Sequence, residues 1–411
     1  MSEWGVTSLG SLFALDNTKL GAHAEEPTVM SLSKYDGFVR ADEYFDKRIA
    51  SSKLDGYKVV QPGEWAFSTI HINEGSIARN NIGERGVISP MYTTMNFVAN
   101  DCIPEYAELI VRQPELLAEY SRRAQGSVNR RRSLPFKEFA KIEVSIPPLA
   151  EQRRIVDVMT VVDAQIQALE EEAQRASSAL ARLNSDLIEV LPTSRPLGDF
   201  TATRSGPSYS AADVSPTFSS DSVPVIGIPN TKPDGSIDLS EIGYVAGLPE
   251  SVGRIDGSSL VLIRTNGNRQ RIGNVYIPPA AAHDHAVSAF QFLMKVDNPS
   301  DREFVYWLLR EPSMQAEMSQ AASGTTGLGN LAVRWLNAVR VPWSDDSVMR
   351  ASIVAPLRSL QDSINASTEE LSRLRSSRSA LLTSFLTQEI EIPESYDSLC
   401  EFEEASGHEL D

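Results

Sequence analysis

The chain has 411 residues, 41% hydrophobic and 23% charged, a formal net charge of −17 and two cysteines, Cys102 and Cys400. That is too long for one ordinary core and fits a folded protein of two or three domains. The absence of a long apolar run, of a basic-then-apolar start in "MSEWGVTSLG" and of a cysteine framework argues against a membrane span, a secretory signal and a disulfide-stapled protein, so a cytoplasmic protein is expected.

Near the N-terminus "SLGSLF", at Ser8, reads as a domain start. "PGEWAFSTIHINEGSIARNNIG", from Pro62, reads as a turn, a buried strand and a polar loop rich in Asn, Gly and Arg. Positive charge then gathers at Arg122, Arg123, Arg130, Arg131, Arg132, Lys137 and Lys141, opposed only by Glu138. A summed charge of −17 speaks against nucleic acid, yet one basic patch on an acidic protein suits phosphate binding at that patch; a solvated surface is the plain alternative. Gly126 opens a loop, followed by an amphipathic turn, a short alternating strand and Pro147–Pro148.

Proline is tolerated just before a helix or in its first turn, so "IPPLAEQRRIV", Ile146–Val156, marks an abrupt helix start. Apolar residues follow at Ile155, Met159, Val162, Ile166, Leu169, Ala173, Ala176, Leu180, Leu183, Leu187 and Val190. Steps of four and three alternate without a slip, which is a coiled-coil seam. Roughly 40 residues at 1.5 Å each give a rod on the order of 60 Å, stopped at "LPTSRPLG".

The second half repeats the first. An offset of 198 carries the seam to Ile353, Leu357, Leu360, Ile364, Ser367, Leu371, Leu374, Arg378, Leu381 and Phe385, eight of ten apolar. The same offset carries Gly126 to Gly324, which opens "GTTGLGNLAVRWLNAVRVPW". "DGSSLVLIRTNGNRQRIGNVYI", from Asp256, echoes the stretch at Pro62, and "PLGDFT" at Pro196 echoes "SLGSLF". The expected organisation is therefore a mixed domain over 1–147, a long helix over 148–191, a second domain over 192–343, a second helix over 344–388 and an acidic tail over 389–411. Two copies imply a pseudo-twofold object. The two seams are expected to bury each other, with the rods running either parallel or antiparallel. Pro356 predicts a kink or a late helix start, Ser367 and Arg378 weaken the seam, and the tail, with nine acids and no Lys or Arg, is expected to be disordered.

No catalytic constellation emerges. There is no G-x-x-x-x-G-K-[ST] loop and no G-x-G-x-x-G after a strand. "DNPSD" at Asp297 lacks the aromatic of an amino-methyltransferase motif and reads as a turn; "HDH" at His283 lacks a third metal ligand and reads as a polar loop. Candidate DNA contacts lie in loops: Thr69, His71, Asn73, Ser76, Arg79 and Asn80 in the first domain, and Arg264, Asn266, Asn268, Arg269, Gln270 and Arg271 in the second. Arg suits guanine, Asn and Gln suit adenine, and both reach phosphates. Arg122, Arg123, Arg130, Arg131 and Arg132 suit phosphate clamping, and the glycine loop with Thr325 and Thr326 can approach a backbone closely.

"IPPLAEQRRIV" before a heptad rod, a mixed domain ahead of it and the duplication of both resemble the specificity subunit of type I restriction-modification systems. Pro147, Pro148, Leu149, Glu151, Gln152 and Ile155 match the family pattern; "GEWAFST" and "RSGPSY", with Arg204, resemble openings of its recognition domains. At the second rod "SDDSVMRASIV" departs from the pattern. The resemblance implies an α+β chain with two mixed target recognition domains separated by two long helices packed as an antiparallel coiled coil. It implies a non-catalytic subunit that reads a split double-stranded DNA site, with the helices as ruler and docking platform for two methyltransferase subunits, joined by restriction (translocase/nuclease) subunits. S-adenosylmethionine, ATP and Mg would then sit on the partners, with no cofactor and no metal on this chain. An acidic DNA mimic or coiled-coil interaction protein that inhibits such systems is the alternative from another class, and a self-contained nuclease or methylase a third.

Overall fold

The structure, a computed structural model, describes residues 4–21, 27–44, 53–126, 132–249, 251–324 and 327–397. It divides into two compact units, Met1–Ile166 with Leu374–Asp411, and Gln167–Arg373. Each unit takes in a stretch of both long helices, Leu149–Glu189 and Ser347–Leu386.

The first unit contains β1 (Gly5–Ser8), β2 (Phe13–Asp16), β3 (Thr28–Ser33), β4 (Gly37–Arg40), β5 (Lys58–Val60), β6 (Trp65–Ser68), β7 (Ile77–Arg79), β8 (Gly86–Ile88), β9 (Tyr92–Phe97) and β10 (Glu143–Ile146). One sheet runs β2-β9-β6-β7, a second β4-β3-β8-β5, and β1 pairs with β10. Every residue of β6 is buried because both of its faces are covered. Trp65 and Phe67 face a core with Phe13, Tyr106, Tyr120 and Phe139, while Ala66 faces Met30, Val60 and Ile88 of the other sheet.

The second unit contains β11 (Thr193–Pro196), β12 (Thr201–Ser205), β13 (Val214–Ser215), β14 (Ser222–Ile226), β15 (Gly243–Ala246), β16 (Ser259–Ile263), β17 (Thr265–Asn266), β18 (Val275–Tyr276), β19 (Ala286–Val287), β20 (Gln291–Val296), β21 (Gly329–Asn330) and β22 (Arg340–Trp343). Its sheets run β12-β20-β16-β18 and β13-β15-β14-β19, with β11 on β22 and β17 on β21. The plan repeats that of the first unit, down to a parallel pair, β3 with β8 and β14 with β19, among otherwise antiparallel neighbours. It differs in the second sheet's edge strand: β5 joins β8, whereas β13 joins β15.

The matching starts have a common cause. Gly10 N donates to Ala140 O at 2.9 Å, and Leu197 N to Val339 O at 2.9 Å. A side-chain carbon on Gly10 would lie 2.8 Å from the Ala140 carbonyl oxygen, and one on Gly198 2.9 Å from that of Asn337, so both positions demand glycine.

The long helices pack on each other in antiparallel sense. In the first unit Ile155 and Met159, early in one helix, share a core with Leu382 and Phe385, late in the other, and Leu381 packs against it. Arg378 forms an ion pair with Asp163 there. In the second unit Leu180 and Ile188 share a core with Ile353, Leu357 and Ile364, with Ala176, Leu183, Leu187 and Leu360 packed alongside. Ile166 and Leu371 are buried, and Val162, Leu169, Ala173, Ser367 and Leu374 half-buried.

Four expectations need correction. Val190 is exposed, because Ile188 and Leu191 take the buried places at that end. Leu382, not Leu381, is the fully buried residue at its level. The late start near Pro356 is absent: the proline sits on the exposed face of an unbroken helix, while Ile353, Val354 and Leu357 are buried on the other face. The acidic segment is not free from its first residue: Arg154 Nη1 donates to Ile392 O at 3.0 Å, and Arg154 Nε to Asp397 at 2.9 Å. Its remainder, 398–411, lies outside the described residues. No helix among the described residues is long and apolar enough to cross a membrane.

Candidate nucleic-acid interface

In the first unit the chain leaves β6 at Thr69, and Thr69 O accepts a hydrogen bond from Leu134 N at 2.8 Å. Gln125 and Ser133 exchange both backbone bonds, each 2.8 Å, closing the neck of the loop that Gly126 opens. The start of the post-β6 loop is thereby tied to Leu134, next to the neck of the loop that Gly126 opens. Arg130 and Arg131 fall outside the described residues.

The second unit repeats the clamp. Leu331 N donates to Arg264 O at 2.9 Å, and Ser323 and Asn330 exchange bonds of 3.1 and 2.9 Å at the loop neck. Thr265 Oγ1 donates to Asn330 Oδ1 at 2.8 Å, and β17 pairs with β21 across the two loops. Gly324 is required here: a side-chain carbon would lie 2.1 Å from Leu328 O. Thr325 and Thr326 fall outside the described residues.

The candidates divide by what their side chains already hold. His71 and Asn73 are exposed on the turn Ile72–Glu74, with His71 Nδ1 3.0 Å from Glu74. Thr69 is half-buried, its hydroxyl donating to Met91 O at 3.3 Å. Asn80, by contrast, is 1% exposed and donates to Gln61 O and Glu84 O; it ties the turn after β7 and cannot face a base without breaking those bonds. Ser76 is buried, and Arg79 is held by Glu105 at 2.7 Å on the face toward the helices. These three are structural, which their polar side chains concealed in the sequence.

Among the basic candidates, Arg122 and Arg123 both pair with Glu119 on the helix Pro114–Arg123; Arg122 remains exposed. Arg132 Nε donates to Ala124 O at 3.1 Å, capping that helix end, so it is not a free clamp. In the second unit Asn266 and Asn268 accept from the backbone of Asn268 and Gln270, at 2.9 and 3.0 Å, in successive Asx turns that leave both amide nitrogens for a ligand. Arg269 reaches Gly324 O at 3.2 Å and bridges the two loops; Arg271 binds Thr231 O. Gln270 is exposed, and Arg264 is half-buried with its guanidinium over Phe292. Arg204 is exposed on β12, 3.4 Å from Ser251 O.

Gln152 and Arg350 both lie in the quoted helix starts, and the structure makes each a joint between a domain and its long helix. Asp301 sat inside the "DNPSD" turn; it is the buried partner of Arg350. Burial pushes the Cys102 thiol up to about 12, so it is no nucleophile at neutral pH. Among the described residues no cluster of three or more His, Cys, Asp or Glu is arranged to hold a metal ion.

Known proteins fit this architecture. The chain is similar to the crystal structure of a type I restriction-modification system S subunit from M. genitalium, with 14% identity, 93% of this chain and 96% of that chain covered, and a TM-score of 0.50. It is also similar to a chain in a structure addressing complex assembly and conformational transition of the type I R-M system, with 15% identity, 93% and 97% covered, and a TM-score of 0.56. The chain therefore has the fold of a type I S subunit. Residues 116–176 match the family model of the type I restriction modification DNA specificity domain, a span that includes the basic loop and the start of the first long helix. No curated protein matches the sequence.

Proposed function

We propose that the chain is the DNA-recognition subunit of a type I restriction-modification complex, each unit reading one half of a split double-stranded target. The observation that carries this is the repeated clamp, Leu134 N on Thr69 O and Leu331 N on Arg264 O, which ties the start of a polar loop beside the neck of a glycine loop in each of two units of one topology. Two readers in one chain are what a bipartite site requires. His71, Asn73, Asn266, Asn268 and Gln270 are the base-reading candidates; Arg122, Arg204 and Arg264 serve phosphates, together with Arg130, Arg131, Thr325 and Thr326.

The chain supplies no chemistry in this reading. Two methyltransferase subunits dock on the long helices and bring S-adenosylmethionine; restriction subunits bring ATP and Mg. The helices set the gap between the half-sites.

The test is methylation mapping in a host that carries the methyltransferase partner with and without this chain. A split sequence methylated only with the chain is expected. Exchanging the first domain for another should change one half, and adding one heptad to both helices should lengthen the gap; methylation independent of the chain refutes the reading. Removing 398–411 separates it from an acidic mimic, which would lose its effect, whereas a recognition subunit still directs methylation. The shorter deletion is the right one because Ile392 and Asp397 are bonded to Arg154.

A further inference from the structure

Beside each loop clamp stands an exposed apolar side chain on a tight turn. Ser89–Pro90–Met91–Tyr92 closes by Tyr92 N on Ser89 O at 3.0 Å; Ser288–Ala289–Phe290–Gln291 closes by Gln291 N on Ser288 O at 3.0 Å. The turns occupy one place in the two units, between β8 and β9 and between β19 and β20. Each has serine first and a large apolar residue third. Met91 is 63% exposed and Phe290 51% exposed.

The same loops hold both tips. Met91 O accepts from Thr69 Oγ1 at 3.3 Å, and Phe290 O accepts from Arg264 N at 2.9 Å and Thr265 N at 3.1 Å. The backbone is fastened through its carbonyl to the loop that carries the candidate base readers, while the side chain is exposed. A lone exposed apolar residue is ordinary. Two of them at one structural position, on one turn, each with its carbonyl held by the loop that follows the buried strand, are not explained by chance exposure. Neither side chain can read a base edge by hydrogen bonding. Both are of the kind that enters the base stack, where Met and Phe wedges partly unstack a step and bend the duplex.

Resting on the recognition reading above, we propose that Met91 and Phe290 are apolar wedges, each inserted into the base stack of its own half-site. The first acts in the half read by the first unit and the second in the other half. The wedge reads deformability where the neighbouring loops read base edges, so it favours steps that unstack easily.

The test uses the complex with its methyltransferase subunits and duplexes of the mapped target, with 2-aminopurine placed in turn at each position other than the methylated bases. Binding of the unaltered complex should raise emission at one step in each half. Phe290→Ala should abolish the rise in one half only and weaken binding about ten-fold; Met91→Ala should do the same in the other half. Phe290→Leu should keep most of the rise and Phe290→Gln should lose it, a pair that still decides the matter should alanine loosen the turn. No rise at any such position, or a rise that survives both alanine variants, overturns the wedge while site-specific methylation stands. A complex that methylates no defined sequence overturns the recognition reading and this inference with it.

Discussion

The two joints between domain and long helix show one geometry built from two chemistries. In the first unit Gln152, 0% exposed, accepts from Ile103 N at 2.9 Å and donates to Asp101 O and Pro147 O, both at 2.8 Å. In the second, 198 residues on, Arg350, 6% exposed, holds Asp301 through Nε at 2.8 Å and Nη2 at 2.9 Å and donates to Ser344 O at 2.7 Å. Each staples the first turn of a long helix to the start of a domain helix, Pro104–Ile110 or Arg302–Arg310. A neutral amide facing backbone does in one unit what a buried, bidentate ion pair does in the other. The departure of "SDDSVMRASIV" from the proline–glutamine pattern is thus a change of fastening, with the joint preserved.

The joints differ in how badly they fail. Arg350→Ala leaves Asp301 buried without its partner and should cost about 3–5 kcal/mol, read as lost hydrogen-exchange protection over Arg302–Arg310. Arg350→Gln, which copies the first unit's residue, should fare little better, because the carboxylate remains. Adding Asp301→Asn should recover most of the loss; a double variant no better than the single one would break the comparison. Gln152→Ala strands one amide and two carbonyls, none of them a full charge, and should cost about 2–3 kcal/mol over Pro104–Ile110. Along the coil, Asp163 and Arg378 form an ion pair whose side chains are 46% and 28% exposed. Solvent screening discounts it, so Arg378→Leu should change stability by no more than about 1 kcal/mol, measured by denaturant midpoint.

What the sequence made legible was what repeats with a period. The seam followed from steps of four and three, and the duplication from the offset that carries Ile155 to Ile353 and Gly126 to Gly324. That the two seams bury each other followed from the same periodicity, whereas the antiparallel sense came with the family resemblance. Single polar side chains were another matter. Asn80 and His71 come from the one stretch read as a polar loop and have similar polarity, yet they flank β7, and one ties backbone carbonyls while the other is exposed. That difference is set by which strand edge the chain folds against. Asp301 looked like a turn residue because its partner lies 49 positions away. Nothing in the sequence marks Met91 and Phe290 as exposed, because an apolar residue next to a strand ordinarily joins the core.

A buried carboxylate paired with a guanidinium and a half-buried one bonded to an amide sharpen the comparison further. Asp301 has Arg350; Glu108, in the first unit, takes a hydrogen bond from Asn81 Nδ2 at 2.9 Å and lines a cleft of about 840 Å³ with Arg79 and Arg112. Burial raises the Glu108 pKa, outweighing the Asn81 bond and the charge of Arg79. A carboxyl whose folded pKa lies above its unfolded value contributes stability that is fully present below the unfolded pKa, about 4.3, and lost as pH rises through the folded pKa. Glu108→Gln removes the ionisation while keeping an acceptor for Asn81. The variant should therefore denature later than the parent at pH 7, and its advantage should shrink as the pH falls toward 4. Because every other carboxylate titrates alike in both proteins, the difference between the two pH profiles isolates this one group. A difference that stays flat from pH 4 to 7 would mean that Glu108 is solvated like a surface carboxylate, and the contrast with Asp301 would then rest on the ion pair alone.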